Sequence, residues 1–153
     1  MKKHLFIDMD GTITVFENDR GKIKTNLDEF TEKFFKTRKP CDIMILAIEN
    51  VFDKSEWEYH ILSNSPSKEC TKGKNEWLDR YFPIKLEYRH FLEGDKNGCR
   101  ELKSNAIVDW CFEHDVELKD VAFVDDEYKN LVDVECIHVA SWHPSKVLCK
   151  SKR

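Results

Sequence analysis

His4-Leu5-Phe6-Ile7-Asp8-Met9-Asp10-Gly11-Thr12 decides how the rest of the chain is read. Leu5, Phe6 and Ile7 form an apolar run of buried-strand length, and a Gly-Thr turn ends it. Two carboxylates, Asp8 and Asp10, close the strand with one residue between them. Open α/β sheets hold their ligands at this carboxyl edge, so the pair concentrates negative charge where a ligand is expected. Like charges this close require a counter-cation or a shared proton. Mg²⁺ is the expected partner, because it takes hard oxygen ligands and leaves room for a phosphate.

Composition sets the bounds around that stretch. A chain of 153 residues suits one domain with a real core. A hydrophobic share of 41% with 35% charged residues reads as a globular protein with a wet surface. The net charge of -4 comes from 25 basic and 29 acidic residues mixed along the chain, so no strong nucleic-acid surface is expected. Lys146, Lys150, Lys152 and Arg153 are read as a solvated end. No leader core and no membrane-length apolar run is present, and a cytoplasmic protein is expected. Cys41, Cys70, Cys99, Cys111, Cys136 and Cys149 contain no C-x-x-C pair. They are read as reduced thiols, not as a disulfide framework or a zinc site.

Downstream of Thr12, alternation around Asn18-Asp19-Arg20-Gly21 predicts a hairpin between Ile13 and Lys24. Asn26 and Glu29 resemble a capping box, and Leu27, Phe30, Phe34 and Phe35 continue at helical spacing until Pro40. That aromatic stripe is read as core ahead of substrate wall. A second helix is expected over Ile43–Phe52 with Ile43, Leu46, Ala47 and Val51 inward. Trp57 to Leu62 reads as a strand running into Ser63-Asn64-Ser65-Pro66. A helix over Lys72–Phe82, a strand over Ile84–Tyr88 and a turn over Glu93–Gly98 follow. Lys103 then precedes a helix with Ile107, Val108 and Cys111 inward, and Val121–Val124 is a buried strand ending in Asp125-Asp126. A last strand is expected over Glu135–Val139, with His143-Pro144-Ser145 opening a closing helix. His138 and His143 are read as surface or structural histidines rather than ligands.

Asp8-Met9-Asp10-Gly11-Thr12 behind its apolar strand resembles the first motif of the haloacid dehalogenase (HAD) superfamily of phosphohydrolases. Ser63 stands where the second motif places a hydroxyl, and Phe123-Val124-Asp125-Asp126 is similar to the fourth motif. The third is a lysine near the start of the preceding helix. Lys103, 22 residues before Asp125, is preferred there over Lys72, Lys74 and Lys96. Asn130 stands where many members carry a further acid. A response-regulator receiver also combines acids, a hydroxyl and a lysine, but its lysine ends the series, whereas Lys103 precedes the final acid pair.

The resemblance implies an α/β fold, a three-layer Rossmann-like parallel sheet with a flap hairpin. Only about forty residues separate Asp10 from the next strand, so at most a minimal helical cap fits. Residues 1–153 are then one HAD-like domain, with 27–53 as remnant cap or connecting helices. By the same resemblance Asp8 is the nucleophile, Asp10 the general acid and base, and Lys103 the charge-neutralising lysine. Gly11, Thr12, Ser63, Asn64 and Lys103 would hold phosphate, while Asp8, the Asp10 backbone carbonyl and Asp126 would hold Mg²⁺, supported by Asp125 and Asn130. The stretch Lys72 to Phe82 weakly resembles the 5′(3′)-deoxyribonucleotidase branch, which favours a nucleotide among small phosphomonoesters. An open site also suits a polynucleotide end or a phosphoprotein. A non-catalytic metal-binding interaction module is the reading outside enzymology. The sequence carries no signal for an oligomeric state.

Overall fold

The computed structural model describes residues 2–15, 30–94 and 100–151. Five strands, β1 (Lys3–Ile7), β2 (Trp57–Ser65), β3 (Arg89–Glu93), β4 (Val121–Val124) and β5 (Ala140–Trp142), form one sheet in the order β3-β2-β1-β4-β5. Every pairing is parallel, with Ile7 opposite Ile61 on one side and Val124 on the other. Parallel strands need crossovers, and helices supply them on both faces. One face carries α2 (Asp42–Val51), α3 (Lys68–Tyr81) and α6 (Pro144–Ser151), whose Met44, Ile48, Trp77 and Val147 pack on Leu5, Ile7, Ala122 and Val124. The other carries α4 (Lys103–His114) and α5 (Tyr128–Glu135), whose Ile107, Trp110, Leu131 and Val134 pack on Phe6, Leu62 and Phe123. Alternate residues of β1 and β4 thus feed two cores, and that is why both strands read as unbroken apolar runs. The three-layer parallel sheet is as the resemblance implied.

Short α1 (Glu32–Lys36) lies against α3 and is held at its start by the Thr31 hydroxyl, which accepts from the Phe34 amide at 3.2 Å. The two backbones come so close that a Cβ on Gly73 would sit 2.2 Å from the Glu32 carbonyl oxygen. Trp77 Nε1 ties the following loop down by donating to the Arg38 carbonyl at 2.8 Å.

Several expected elements differ. The hairpin beyond Val15, the Asn26–Glu29 capping box, the Asp95–Gly98 turn with Lys96, and Cys99, Lys152 and Arg153 lie outside the described residues. The described part of the first helix ends at Lys36, not at Pro40, which bridges to Thr14. In α2, Ile43 and Leu46 face outward while Met44, Ala47 and Ile48 are buried. Six consecutive apolar residues, Ile43 to Ile48, leave the inward face undefined by periodicity, and docking against α6 and the sheet selects it. The helix placed at Lys72 starts at Lys68, capped by the Ser67 hydroxyl. Ile84–Tyr88 is not a strand: Leu86–Tyr88 forms a 3₁₀ turn and pairing begins at Arg89. In α4 the inward place given to Val108 belongs to Trp110. Glu135–Val139 is the end of α5 and a turn with His138 at φ +62°, so the last strand starts at Ala140. His138 and His143 are exposed, as expected, and stand outside the acidic cluster. His143 bonds the Ser145 hydroxyl at 2.8 Å at the head of α6. Described cysteines Cys41, Cys70, Cys111, Cys136 and Cys149 are free thiols.

Below α4, His4, His60 and His90 from three adjacent strands form a hydrogen-bonded row, His4 Nδ1 to His60 Nε2 at 3.1 Å and His60 Nδ1 to His90 Nε2 at 3.2 Å. Burial pushes the His60 imidazole down to about 2 and His90 to about 4, and it lowers His4 as well. Glu58 and Asp120 face His4, while His114 on α4 adds repulsion to all three. Protons therefore bind the unfolded chain more readily, with its histidine value of 6.5. Stability is full above that value and falls as pH drops through it. For His60 alone the loss between pH 7 and pH 5 is about 2 kcal/mol. Thermal melts of the wild type and His60→Phe at both pH values check this: the variant is expected to lose less stability on acidification. Equal losses would count against it.

Candidate functional site

β1 delivers Asp8 at its tip, where the backbone still follows β4 through the Asp8 amide donating to the Val124 carbonyl at 2.9 Å. The chain then turns sharply, the Met9 carbonyl accepting from the amides of Thr12, Ile13 and Thr14. Gly11 adopts φ +79°, and a Cβ there would lie 2.3 Å from Asp126 Oδ2. Glycine is therefore required twice over, by conformation and by contact. β2 brings Ser63 and Asn64 to the same edge, β4 brings Asp125 and Asp126, and α4 begins with Lys103.

Lys103 Nζ lies 2.6 Å from Asp8 Oδ1 and 2.6 Å from Asp125 Oδ2, all three side chains being buried. Asp125 also accepts from the Glu127 amide at 2.7 Å and from Asn130 Nδ2 at 3.0 Å. Asn130 thus supports Asp125 through its amide nitrogen. Thr12 Oγ1 reaches Asp126 Oδ1 at 3.4 Å, a long contact. Carboxylate oxygens of Asp8, Asp125 and Asp126 all lie within 4.8 Å of one another. The oxygens of Asp125 are already taken by donors, whereas Asp8 Oδ2 accepts nothing from the described residues. Asp8 and Asp126 are accordingly the side chains able to hold a cation, with Asp125 behind them. The Asp10 side chain points elsewhere, so it can reach such a cation only through its backbone carbonyl.

That side chain meets a second lysine. Lys74, from α3, donates to Asp10 Oδ2 at 2.5 Å, to Ser63 Oγ at 3.0 Å and to the Asn64 carbonyl at 2.6 Å. Both lysines belong to the site. The sequence signal for Lys74 was only a lysine three residues before Trp77-Leu78.

Four carboxylates (Asp8, Asp10, Asp125, Asp126) against two ammonium groups leave two negative charges. Burial first, then the charges of Asp125 and Asp10, push the Asp8 carboxyl up to about 7 against the pull of Lys103. Burial and Asp125 raise Asp126 as well. Burial works against the charged form of Lys103, yet Asp8 and Asp125 outweigh it and the lysine is held protonated. An excess of carboxylate in a dry site with hard oxygen donors fits one divalent cation such as Mg²⁺.

A pocket of about 70 Å³ among Asp8, Asp10, Ser63, Lys103 and Asn130 is large enough for a phosphoryl group. It opens beside a cleft of about 320 Å³ walled by Phe30, Phe35, Pro66, Arg100 and Glu127. Phe35 serves both as core, beside Phe34 and Cys70, and as cleft wall. Arg100 and Glu127 were not anticipated, because loop residues carry no periodic signal. A larger cavity, about 500 Å³, lies around Trp57, Tyr59 and Phe82 at the opposite edge of the sheet and contains none of the motif residues.

No family model matches the chain, and no curated protein matches it in sequence. Solved structures do. A D,D-heptose 1.7-bisphosphate phosphatase from B. bronchiseptica, complexed with magnesium and phosphate, superposes with a TM-score of 0.60 at 17% identity over 97% of this chain and 86% of that one. The HAD domain of effector protein Lem4 from Legionella pneumophila gives 0.56 at 14% identity, covering 93% and 84%. The chain, with its five-stranded parallel sheet and acids at the central strand tips, shares the fold of these two structures, a HAD domain and a phosphatase.

Proposed function

We propose that this protein is a Mg²⁺-dependent phosphomonoester hydrolase that works through an aspartyl-phosphate on Asp8. The observation that carries the reading is the single pocket in which Asp8, Asp10, Ser63 and Lys103 converge. Asp8 Oδ2 attacks phosphorus, and the ester oxygen leaves with a proton from Asp10. Water then attacks the aspartyl-phosphate while Asp10 takes its proton, releasing phosphate and restoring Asp8. Lys103 spends two of its three N–H donors on Asp8 and Asp125 and keeps one for a phosphoryl oxygen. Asp8, Asp126 and the Asp10 carbonyl would hold Mg²⁺, which offsets the charge of phosphate and carboxylates. Asn64 would complete the phosphate cradle, whereas the Gly11 and Thr12 amides, expected there from the sequence, already donate to the Thr14 and Met9 carbonyls.

The substrate we favour is a nucleoside monophosphate. Phe30 and Phe35 give the cleft beside the phosphoryl pocket an apolar wall, and Arg100 adds a planar cation to it. No helix among the described residues is long and apolar enough to cross a membrane. Phosphate release from a panel of nucleotides, sugar phosphates, phosphorylated oligonucleotides and a phosphopeptide is the test. Nucleotides are expected to lead, and chelation with EDTA is expected to cut turnover at least ~100-fold, with recovery on adding Mg²⁺. Preference for oligonucleotides or phosphopeptide would overturn the substrate class. No release from any of them would overturn catalysis and favour a metal-binding interaction module.

A further inference from the structure

We infer that Lys74 is a positioning residue that locks the acid/base carboxylate of Asp10 and the hydroxyl of Ser63 into one rigid unit, and that it takes no part in holding phosphate. The inference rests on the hydrolase reading above for its catalytic meaning. An ammonium group has three donors. Lys74 uses all of them on protein acceptors, Asp10 Oδ2, Ser63 Oγ and the Asn64 carbonyl, and it is fully buried. Phe35 covers it, the ring centre lying 4.6 Å from Nζ. No donor is left for a ligand, in contrast to Lys103.

Two consequences follow for the groups it holds. With Oδ2 anchored, the other oxygen of Asp10, Oδ1, is left buried and without a partner, the one side-chain atom of its kind among the described residues. Oδ1 is therefore the oxygen of Asp10 left to carry the proton to the leaving ester oxygen and to take one from water in the second step. Ser63 Oγ, by accepting from Lys74, must direct its own proton elsewhere, toward the phosphoryl pocket or the distant Asn64 carbonyl at 3.4 Å. Lys74 thereby turns Ser63 into a donor and Asp10 into a one-sided acid/base. Its ammonium pairs with Asp10 whenever that carboxyl is ionised.

Leaving-group dependence distinguishes this role from a merely structural one. A weakly basic p-nitrophenolate needs little proton donation to depart, whereas an alkoxide needs it fully. Lys74→Met is expected to lower kcat/KM about 100-fold for an alkyl phosphomonoester and less than about fivefold for p-nitrophenyl phosphate. Asp10→Asn is expected to show the same split, and the double variant to lose little more than either alone. Inhibition by inorganic phosphate is expected to stay within about twofold in Lys74→Met. Equal losses for both esters, or a collapse of phosphate inhibition, overturn the inference. The intact protein supplies an independent check, valid if Lys74→Met does not fold or if no phosphatase activity is found. In ¹⁵N NMR the Lys74 ammonium is expected to exchange slowly, to shift in Asp10→Asn, and to stay in place when inorganic phosphate is added. A Lys74 signal that follows phosphate and ignores Asp10→Asn overturns it.

Discussion

Asp8→Asn is expected to leave a folded protein whose phosphate release falls by about 10⁴-fold or more, the order seen when a covalent nucleophile is removed. The substitution is nearly isosteric. An amide oxygen can still accept from Lys103, and Lys103 keeps Asp125 at 2.6 Å. Removing one of four crowded carboxylates also relieves repulsion, so thermal stability without Mg²⁺ is expected to equal or exceed that of the wild type. Circular dichroism and a melting curve establish the fold, and a phosphate assay with Mg²⁺ reads the activity. Beryllofluoride, which mimics an aspartyl-phosphate, is expected to bind the wild type and not the variant. Wild-type turnover by Asp8→Asn would remove the nucleophile from the mechanism.

Lys103→Met is expected to cost both folding and function. It deletes the ammonium that lies between two buried carboxylates, leaving Asp8 and Asp125 to face each other. Breaking a buried pair from one side typically costs about 3–5 kcal/mol. Phosphate release is expected to drop about 1000-fold, because the donor aimed at the phosphoryl group goes with the charge. Mg²⁺ acts on the same carboxylates, and whatever binds the folded state stabilises it. The rise in melting temperature on adding Mg²⁺ is therefore expected to be larger in Lys103→Met than in the wild type. A variant as stable as the wild type in EDTA would show that the charges at the strand tips are not strained against one another.

Motifs at strand ends were legible because their signals are local. An apolar run fixes a buried strand, and the acid or hydroxyl that follows it must emerge at the sheet edge. So Asp8, Asp10, Ser63, Asp125 and Asp126 were placed without knowledge of the strand order. Lys103 was legible only through the resemblance, whose third motif is a lysine ahead of the last motif strand, a place that its distance from Asp125 fits. Elements whose local pattern was ambiguous were misplaced. β3 and β5 are short edge strands, where pairing partners and not composition set the limits. The inward face of α2 was hidden in a run of apolar residues that any rotation would satisfy.

The amino-acid sequence alone determined the α/β class and put the acids and the Ser63 hydroxyl at strand ends, since each follows an apolar run by only a few residues, while Lys103 came from the resemblance. Tertiary structure decided what those groups do to one another. Only the packing of α3 against β2 and α1 brings Lys74 within reach of Asp10 and Ser63, across 64 and 11 residues of chain. Only the count of donors around each ammonium, set by that packing, separates a lysine with a proton to spare from one with none.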